Sequence, residues 1–123
     1  MLDFRGKKAL VIEDDDDIRG LLEIVLSQMG FSVTSLATGR AGLESARSAR
    51  PDLITLDIGL PDINGVAVLR ELRIFHDGKV VMLSARGRQG DIDSAMAAGA
   101  DAYILKPFRA TSLKQELAEI IRR

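Results

Sequence analysis

Five times along this chain of 123 residues an apolar run gives way to a stretch of helical hydrophobic period, and no other feature narrows the fold as far. The strand-like runs fall at residues 9–12, 31–36, 53–56, 80–83 and 102–105. The helical sets that follow them are Ile18, Leu21, Leu22, Val25, Leu26 and Met29; Leu43, Ala46 and Ala49; Val68, Leu69, Leu72 and Phe75; Ile92, Ala95, Met96 and Gly99; and Leu113, Leu117, Ile120 and Ile121. Such alternation predicts a parallel sheet with helices on both faces, joined by right-handed crossovers. The first, third and fourth runs are continuously apolar, as central strands are. The second alternates, Phe31, Val33 and Ser35 against Ser32, Thr34 and Leu36, and the fifth is short, so both belong at sheet edges.

The predicted fold class is therefore α/β, a flavodoxin-like (βα)5 doubly wound parallel sheet with strand order 2-1-3-4-5. Local signals agree. Asp15 or Asp16 is placed to cap the first helix, acids fill its first turn, and Gly30 is placed to end it. Gly20 inside that helix costs about 1 kcal/mol relative to Ala. Thr38 caps the second helix, which runs to about Arg50, where Pro51 discourages continuation. A loop holding Pro61 and Gly65 precedes the third helix, and Asp77-Gly78 turns the chain into the fourth strand.

With 46% hydrophobic residues, the chain suffices for one core, and one domain is expected over residues 1–123. The absence of cysteine rules out disulfides and thiolate metal sites. Lys and Arg number 17 against 18 Asp and Glu, a formal net charge of −1, so no basic field draws this segment to nucleic acid. No apolar run approaches the roughly 18 residues of a membrane helix. Residues 1–8, a polar lead-in, lack the apolar stretch of a secretory signal. A soluble, cytoplasmic protein with no membrane contact is expected.

Glu13 and Asp14 follow the first strand, Asp57 ends the third, Ser84 ends the fourth and Lys106 follows the fifth. A parallel sheet brings all these ends to one edge, where ligands of open α/β sheets collect. Taken singly, each has an ordinary reading: the acids as a solvated helix start, the Asp or Ser as a cap, the Lys as a surface residue. Their coincidence at four strand ends favours a site. Three carboxylates brought together repel one another unless a cation neutralises them. All-oxygen ligands favour a hard ion, Mg²⁺, with Mn²⁺ able to substitute. A metal, a carboxylate, a hydroxyl and an ammonium around one spot form a phosphoryl-transfer constellation, with Asp57 as nucleophile and Lys106 as clamp.

The sequence resembles a bacterial two-component response regulator receiver domain along essentially its whole length. The marks are the apolar first strand with Glu13-Asp14, Leu56-Asp57 with Leu60-Pro61-Asp62 and Gly65, Ser84-Ala85, Gly99-Ala100-Asp101, and Tyr103 ahead of Lys106-Pro107-Phe108. The resemblance implies that Asp57 accepts a phosphoryl group from the phosphohistidine of a sensor histidine kinase or phosphotransfer protein. Asp14 binds Mg²⁺ directly, Glu13 mainly through water, and Gly59 lends its backbone carbonyl. Ser84 hydrogen-bonds the phosphoryl group, Lys106 pairs with it, and Tyr103 changes rotamer. The surface of the fourth helix, fifth strand and fifth helix then changes for an output domain or downstream partner. Such a protein is a signalling switch that catalyses its own phosphotransfer and slow dephosphorylation, rather than an enzyme. Receivers tend to have a cis peptide at the position of Lys106-Pro107, which this sequence permits.

The departures are specific. Ser84 stands where Thr is commoner, and Gly59 and Arg86 occupy two positions at which receivers tune dephosphorylation. Gly59 is expected to admit the attacking water and shorten the phosphorylated lifetime. Ala102 and Glu116 interrupt the charged face through which many DNA-binding relatives dimerise, which weighs against dimerisation there. Arg88, Asp91, Asp101 and Arg109 remain available for exposed pairs worth about 0–1 kcal/mol each. The alternatives are a receiver-like interaction module that takes no phosphate, or an aspartate-nucleophile phosphohydrolase. The latter generally carries a second Asp where Gly59 stands. A nucleotide or flavin module would need a Gly-rich phosphate loop where this chain has acids.

Overall fold

Strand and helix alternate as the hydrophobic period requires, in a computed structural model that describes residues 3–123. Of the polar lead-in, Met1 and Leu2 lie outside the described residues. The elements are β1 (Lys8–Ile12), α1 (Asp16–Gln28), β2 (Ser32–Leu36), α2 (Gly39–Ala49), β3 (Leu53–Asp57), α3 (Gly65–Phe75), β4 (Lys79–Ser84), α4 (Gln89–Ala97), β5 (Ala102–Leu105) and α5 (Ala110–Arg122). All strand pairs are parallel, in the order β2-β1-β3-β4-β5. The fold is the doubly wound, flavodoxin-like one.

Side chains alternate across the pleat and so build two cores. Val11, Leu53, Val81 and Leu83 meet α1 and α5 through Leu22, Leu26, Leu113 and Leu117. Leu10, Ile12, Ile54, Leu56 and Met82 meet α2, α3 and α4 through Leu43, Leu69, Leu72 and Ala95. Both faces of β3 are therefore covered, and every one of its residues is buried. The edge strand β2 has none of its residues fully buried. Among the described residues, no helix is long and apolar enough to cross a membrane.

Caps set the helix limits. Asp15 accepts from the Ile18 N–H at 3.0 Å and starts α1. Gly30, at φ 107°, turns the chain after it, and a Cβ there would meet the Arg5 nitrogen at 2.8 Å. Thr38 accepts from Ala41, and Asp62 reaches across from the loop after β3 to accept from Gly39 at 2.8 Å and Arg40 at 2.9 Å. These backbone donors hold the Asp62 carboxyl below the usual range. The loop after β3 is thereby pinned to α2.

Two expectations need correction. Met96 is not a core residue of α4: it is 44% exposed, and Ala95 is the buried one. The inward stripe of that short helix passes through Ala95 to the half-buried Ala98, and Met96, one residue on, is rotated away. Asp101 also does not join an exposed pair with the helices it flanks. Arg73 of α3 binds it at 2.9 Å, and it accepts from the Val80 N–H at 2.8 Å.

Candidate functional site

Register brings the expected groups together. Ile12 pairs with Leu56 and Asp57 with Leu83, so Glu13 leaves β1 beside the end of β3, and Ser84 and Lys106 close the neighbouring strands. Asp57 is 7% exposed, Ser84 2% and Glu13 1%. The Lys106 ammonium lies 2.7 Å from Glu13 Oε1 and 3.4 Å from Asp57 Oδ1. Its backbone N–H donates to the Ser84 carbonyl at 2.9 Å, which fixes the stem from which the side chain reaches inward. The Lys106-Pro107 peptide is cis.

Charge at this edge is out of balance. Glu13, Asp14 and Asp57 each place a carboxylate oxygen within 4.8 Å of the others, facing one ammonium. Glu13 Oε2 accepts from the Asp15 N–H at 3.2 Å, but Oε1 is buried with no aligned hydrogen-bond donor, Lys106 being a close charge contact only. Burial pushes the Glu13 carboxyl up to about 7; the close Lys106 ammonium opposes this and the Asp57 charge adds to it. For Lys106, burial disfavours the charged form, but Glu13 and Asp57 outweigh it and hold the ammonium above its ordinary value. An all-oxygen acidic cluster with a buried, under-bonded carboxylate fits a hard divalent cation, and Lys106 partly fills that role. Asp14, the exposed member, leaves the cluster open to solvent on one side.

A second set of contacts runs sideways from Ser84. Its Oγ accepts from the Arg86 N–H at 3.0 Å, and the Arg86 carbonyl accepts from the Tyr103 hydroxyl at 2.6 Å. Tyr103 packs against the α2–α4 core. The expected hydroxyl and aromatic are therefore joined through one residue. Gly59 follows two residues after Asp57, donates to its Oδ1 at 3.3 Å, and has nothing within 4 Å of where a Cβ would stand.

Two supports were not expected from the sequence. Arg19 Nη1 donates to the Glu13 carbonyl at 3.1 Å and so anchors the acidic loop to α1. Gly65 begins α3 hard against the end of β3, where a Cβ would stand 2.6 Å from Ile58 Cα, and its N–H donates to the Ile58 carbonyl at 2.8 Å. The glycine itself was a visible loop signal; its close approach to the Asp57 strand end was not.

The receiver domain of response regulators matches residues 9–118. The transcriptional regulatory protein CseB of Streptomyces coelicolor is 41% identical over 114 residues, covering 93% of this chain and 49% of that protein. The KDP operon transcriptional regulatory protein KdpE of Escherichia coli is 40% identical over 93% of this chain and 51% of its own length. The chain thus spans about half the length of the curated relatives it matches. Among solved structures, the BeF3-activated N-terminal receiver domain of RstA from Klebsiella pneumoniae superposes with a TM-score of 0.87 at 28% identity, over 94% of this chain and 99% of that one. With these relationships added to the parallel order β2-β1-β3-β4-β5 and its acidic carboxyl edge, the chain belongs to the response regulator receiver domain family.

Proposed function

We propose that this domain is a phosphorylation-dependent switch whose acceptor is Asp57. The observation that carries the reading is the pairing of surplus negative charge with a single half-buried ammonium: three carboxylates within 4.8 Å, and Lys106 2.7 Å from one of them and 3.4 Å from Asp57. Response regulators exchange signals with histidine kinases and output domains, and their receivers are signalling switches rather than classical enzymes. Here the donor is the phosphohistidine of a sensor histidine kinase or phosphotransfer protein, and the recipient is an output domain or separate partner. The cytoplasm is where these meet.

Asp14 and Asp57 would hold Mg²⁺, or Mn²⁺ in its place, with Glu13 acting mainly through water and Gly59 through its carbonyl. When bound, the ion supplies charge neutralisation for the phosphoryl oxygens. The protein's own groups do the remainder. Asp57 Oδ is the nucleophile, Lys106 balances charge on the transferred group, and the Ser84 hydroxyl turns to meet it. That turn releases the Arg86 N–H, which shifts the carbonyl holding Tyr103 and alters the surface of α4, β5 and α5. The added phosphoryl group brings about −1.5 to −2 charge, so a large rearrangement of nearby cations is expected.

Incubation with acetyl phosphate and Mg²⁺, read by intact mass, tests the assignment. Wild type should gain one phosphoryl group and Asp57→Asn none. A chain that takes no phosphate from any donor would be an interaction module instead.

A further inference from the structure

At the amino ends of the strands, the ends of α2 and α3 border an open cavity of about 590 Å³, with Arg47, Arg50, Phe75 and His76 in its lining. That is the size of sites that take small organic molecules. Helix ends normally present unpaired carbonyls, which draw cations. Here the chain serves several of those carbonyls itself: Lys8 Nζ donates to Ala49 at 3.2 Å, and Arg73 donates to His76 at 3.0 Å and Gly78 at 2.7 Å. What the cavity leaves without a partner is of the opposite kind. Among the described residues the exposed Arg50 guanidinium has no hydrogen-bond or ion-pair partner, and Arg47 has only the Phe75 ring, 4.5 Å from its centroid. His76 is 6% exposed, and its Nε2 has no partner either. Arg50 is also the one residue other than glycine with a positive φ among the described residues, 49°, a conformation that glycine or asparagine holds more easily.

Unpaired guanidiniums select an anion, and the rest of the lining limits its charge. Asp52 and Asp77 stand in the same wall, although Asp52 Oδ2 already accepts from the Lys8 N–H at 2.8 Å. Two guanidiniums beside two carboxylates suit an anion of single charge and disfavour a dianion such as phosphate. Ala46, Pro51 and Phe75 add apolar surface. We propose that this cavity is a binding site for small monocarboxylates with a planar apolar body, the aromatic acids. Arg50 forks the carboxylate, Arg47 offers the plane of its guanidinium to the ring, and His76 Nε2 gains the partner it lacks. The cavity lies at the opposite ends of β3 and β4 from Asp57 and Ser84, so binding needs neither the acceptor nor a metal.

Benzoate is the probe, with acetate and inorganic phosphate beside it at constant pH and ionic strength. The chain has 1 His, so the imidazole signal in proton NMR reports on this cavity. Benzoate should shift that signal saturably and raise the urea midpoint of wild type, as a ligand of the folded state does. Arg47→Gln combined with Arg50→Asn removes both charges while keeping residues suited to a helix and to a left-handed turn. That double variant should bind benzoate about tenfold more weakly. Acetate, which lacks the ring, should also bind about tenfold more weakly than benzoate, and Asp57→Asn should bind benzoate as wild type does. No saturable shift, equal binding by the double variant, or equal binding of acetate or phosphate overturns the proposal. So does loss of binding in Asp57→Asn, which would move the ligand to the acidic edge.

Discussion

The two edges of the sheet handle charge in opposite ways. At the amino edge, Arg73 donates to the carbonyls of Gly99 at 2.9 Å, His76 at 3.0 Å and Gly78 at 2.7 Å, and to Asp101 at 2.9 Å. Asp101 in turn accepts from the Val80 N–H at 2.8 Å. The guanidinium and the carboxylate both find partners, and the result ties the end of α3 to the start of β4 and to the turn before β5. At the carboxyl edge, three carboxylates face one ammonium and Glu13 Oε1 is buried without an aligned donor. A satisfied network fixes structure, whereas charge held together against its own repulsion marks a place kept for a ligand.

The largest effect that could break this contrast is a pH dependence of stability in metal-free protein. Burial pushes the Glu13 carboxyl from 4.5 up to about 7. Between those values the folded protein keeps a proton that the unfolded chain has lost, so stability falls as pH rises, by on the order of 2–3 kcal/mol. Urea unfolding in a chelator at about pH 5 and about pH 8 should show that decline in wild type and lose most of it in Glu13→Gln. An equal decline in both would locate the stress away from Glu13.

Next in size is the amino edge. Asp101→Ala removes the one carboxylate among the acceptors of the half-buried Arg73 and leaves the Val80 N–H without its acceptor, and should cost about 2 kcal/mol in urea unfolding. Asp16→Ala, which breaks an exposed pair with Arg19, should cost no more than about 0.5 kcal/mol. If the two variants were equally stable, the Arg73 network would be no more than a surface ion pair.

The sequence was most informative where a polar residue interrupts an apolar run. Glu13, Asp57, Ser84 and Lys106 each stand at such a break, and a parallel sheet has only one edge on which they can meet. Asp15 and Thr38 were legible as caps because their chemistry acts within three residues. Arg73 was not legible: its partners Gly99 and Asp101 lie 26 and 28 residues away, and the rotation of α3 that brings them together depends on packing. Met96 went unread for the same reason. A short helix with one buried residue, Ala95, leaves its inward face poorly specified by period alone.

Space separates the edges as clearly as charge. A Cβ at Gly78 would stand 2.7 Å from the His76 ring and one at Gly99 3.0 Å from Arg73, whereas Gly59 has nothing within 4 Å. With Asp57 as the proposed phosphoacceptor, open space beside it would admit the water that hydrolyses the phosphorylated side chain. Gly59→Met should therefore lengthen the phosphorylated lifetime severalfold, a change of about 1 kcal/mol in the barrier. The decay of the phosphorylated mass after donor removal measures it, and an unchanged or faster decay would show that water does not enter there.

The smallest expected effect lies at the amino edge, in His76. His76 is 6% exposed, its Nε2 has no hydrogen-bond partner, and burial, with the Arg73 charge adding, pushes its pKa below the ordinary 6.5. The unfolded chain takes up a proton near 6.5 while the folded protein resists it. Stability is therefore lost as pH falls below that point, and the loss ends once the pH passes the folded pKa. The sign is opposite to that of Glu13, so the two edges are separable in one titration. In a Glu13→Gln background, stability should fall toward acid pH, and His76→Gln should flatten that slope. The chain has 1 His, so its imidazole signal in a proton NMR titration is unambiguous. A midpoint at or above 6.5 would mean that the amino edge accommodates the charged ring, and the contrast between the edges would then rest on the carboxylates alone.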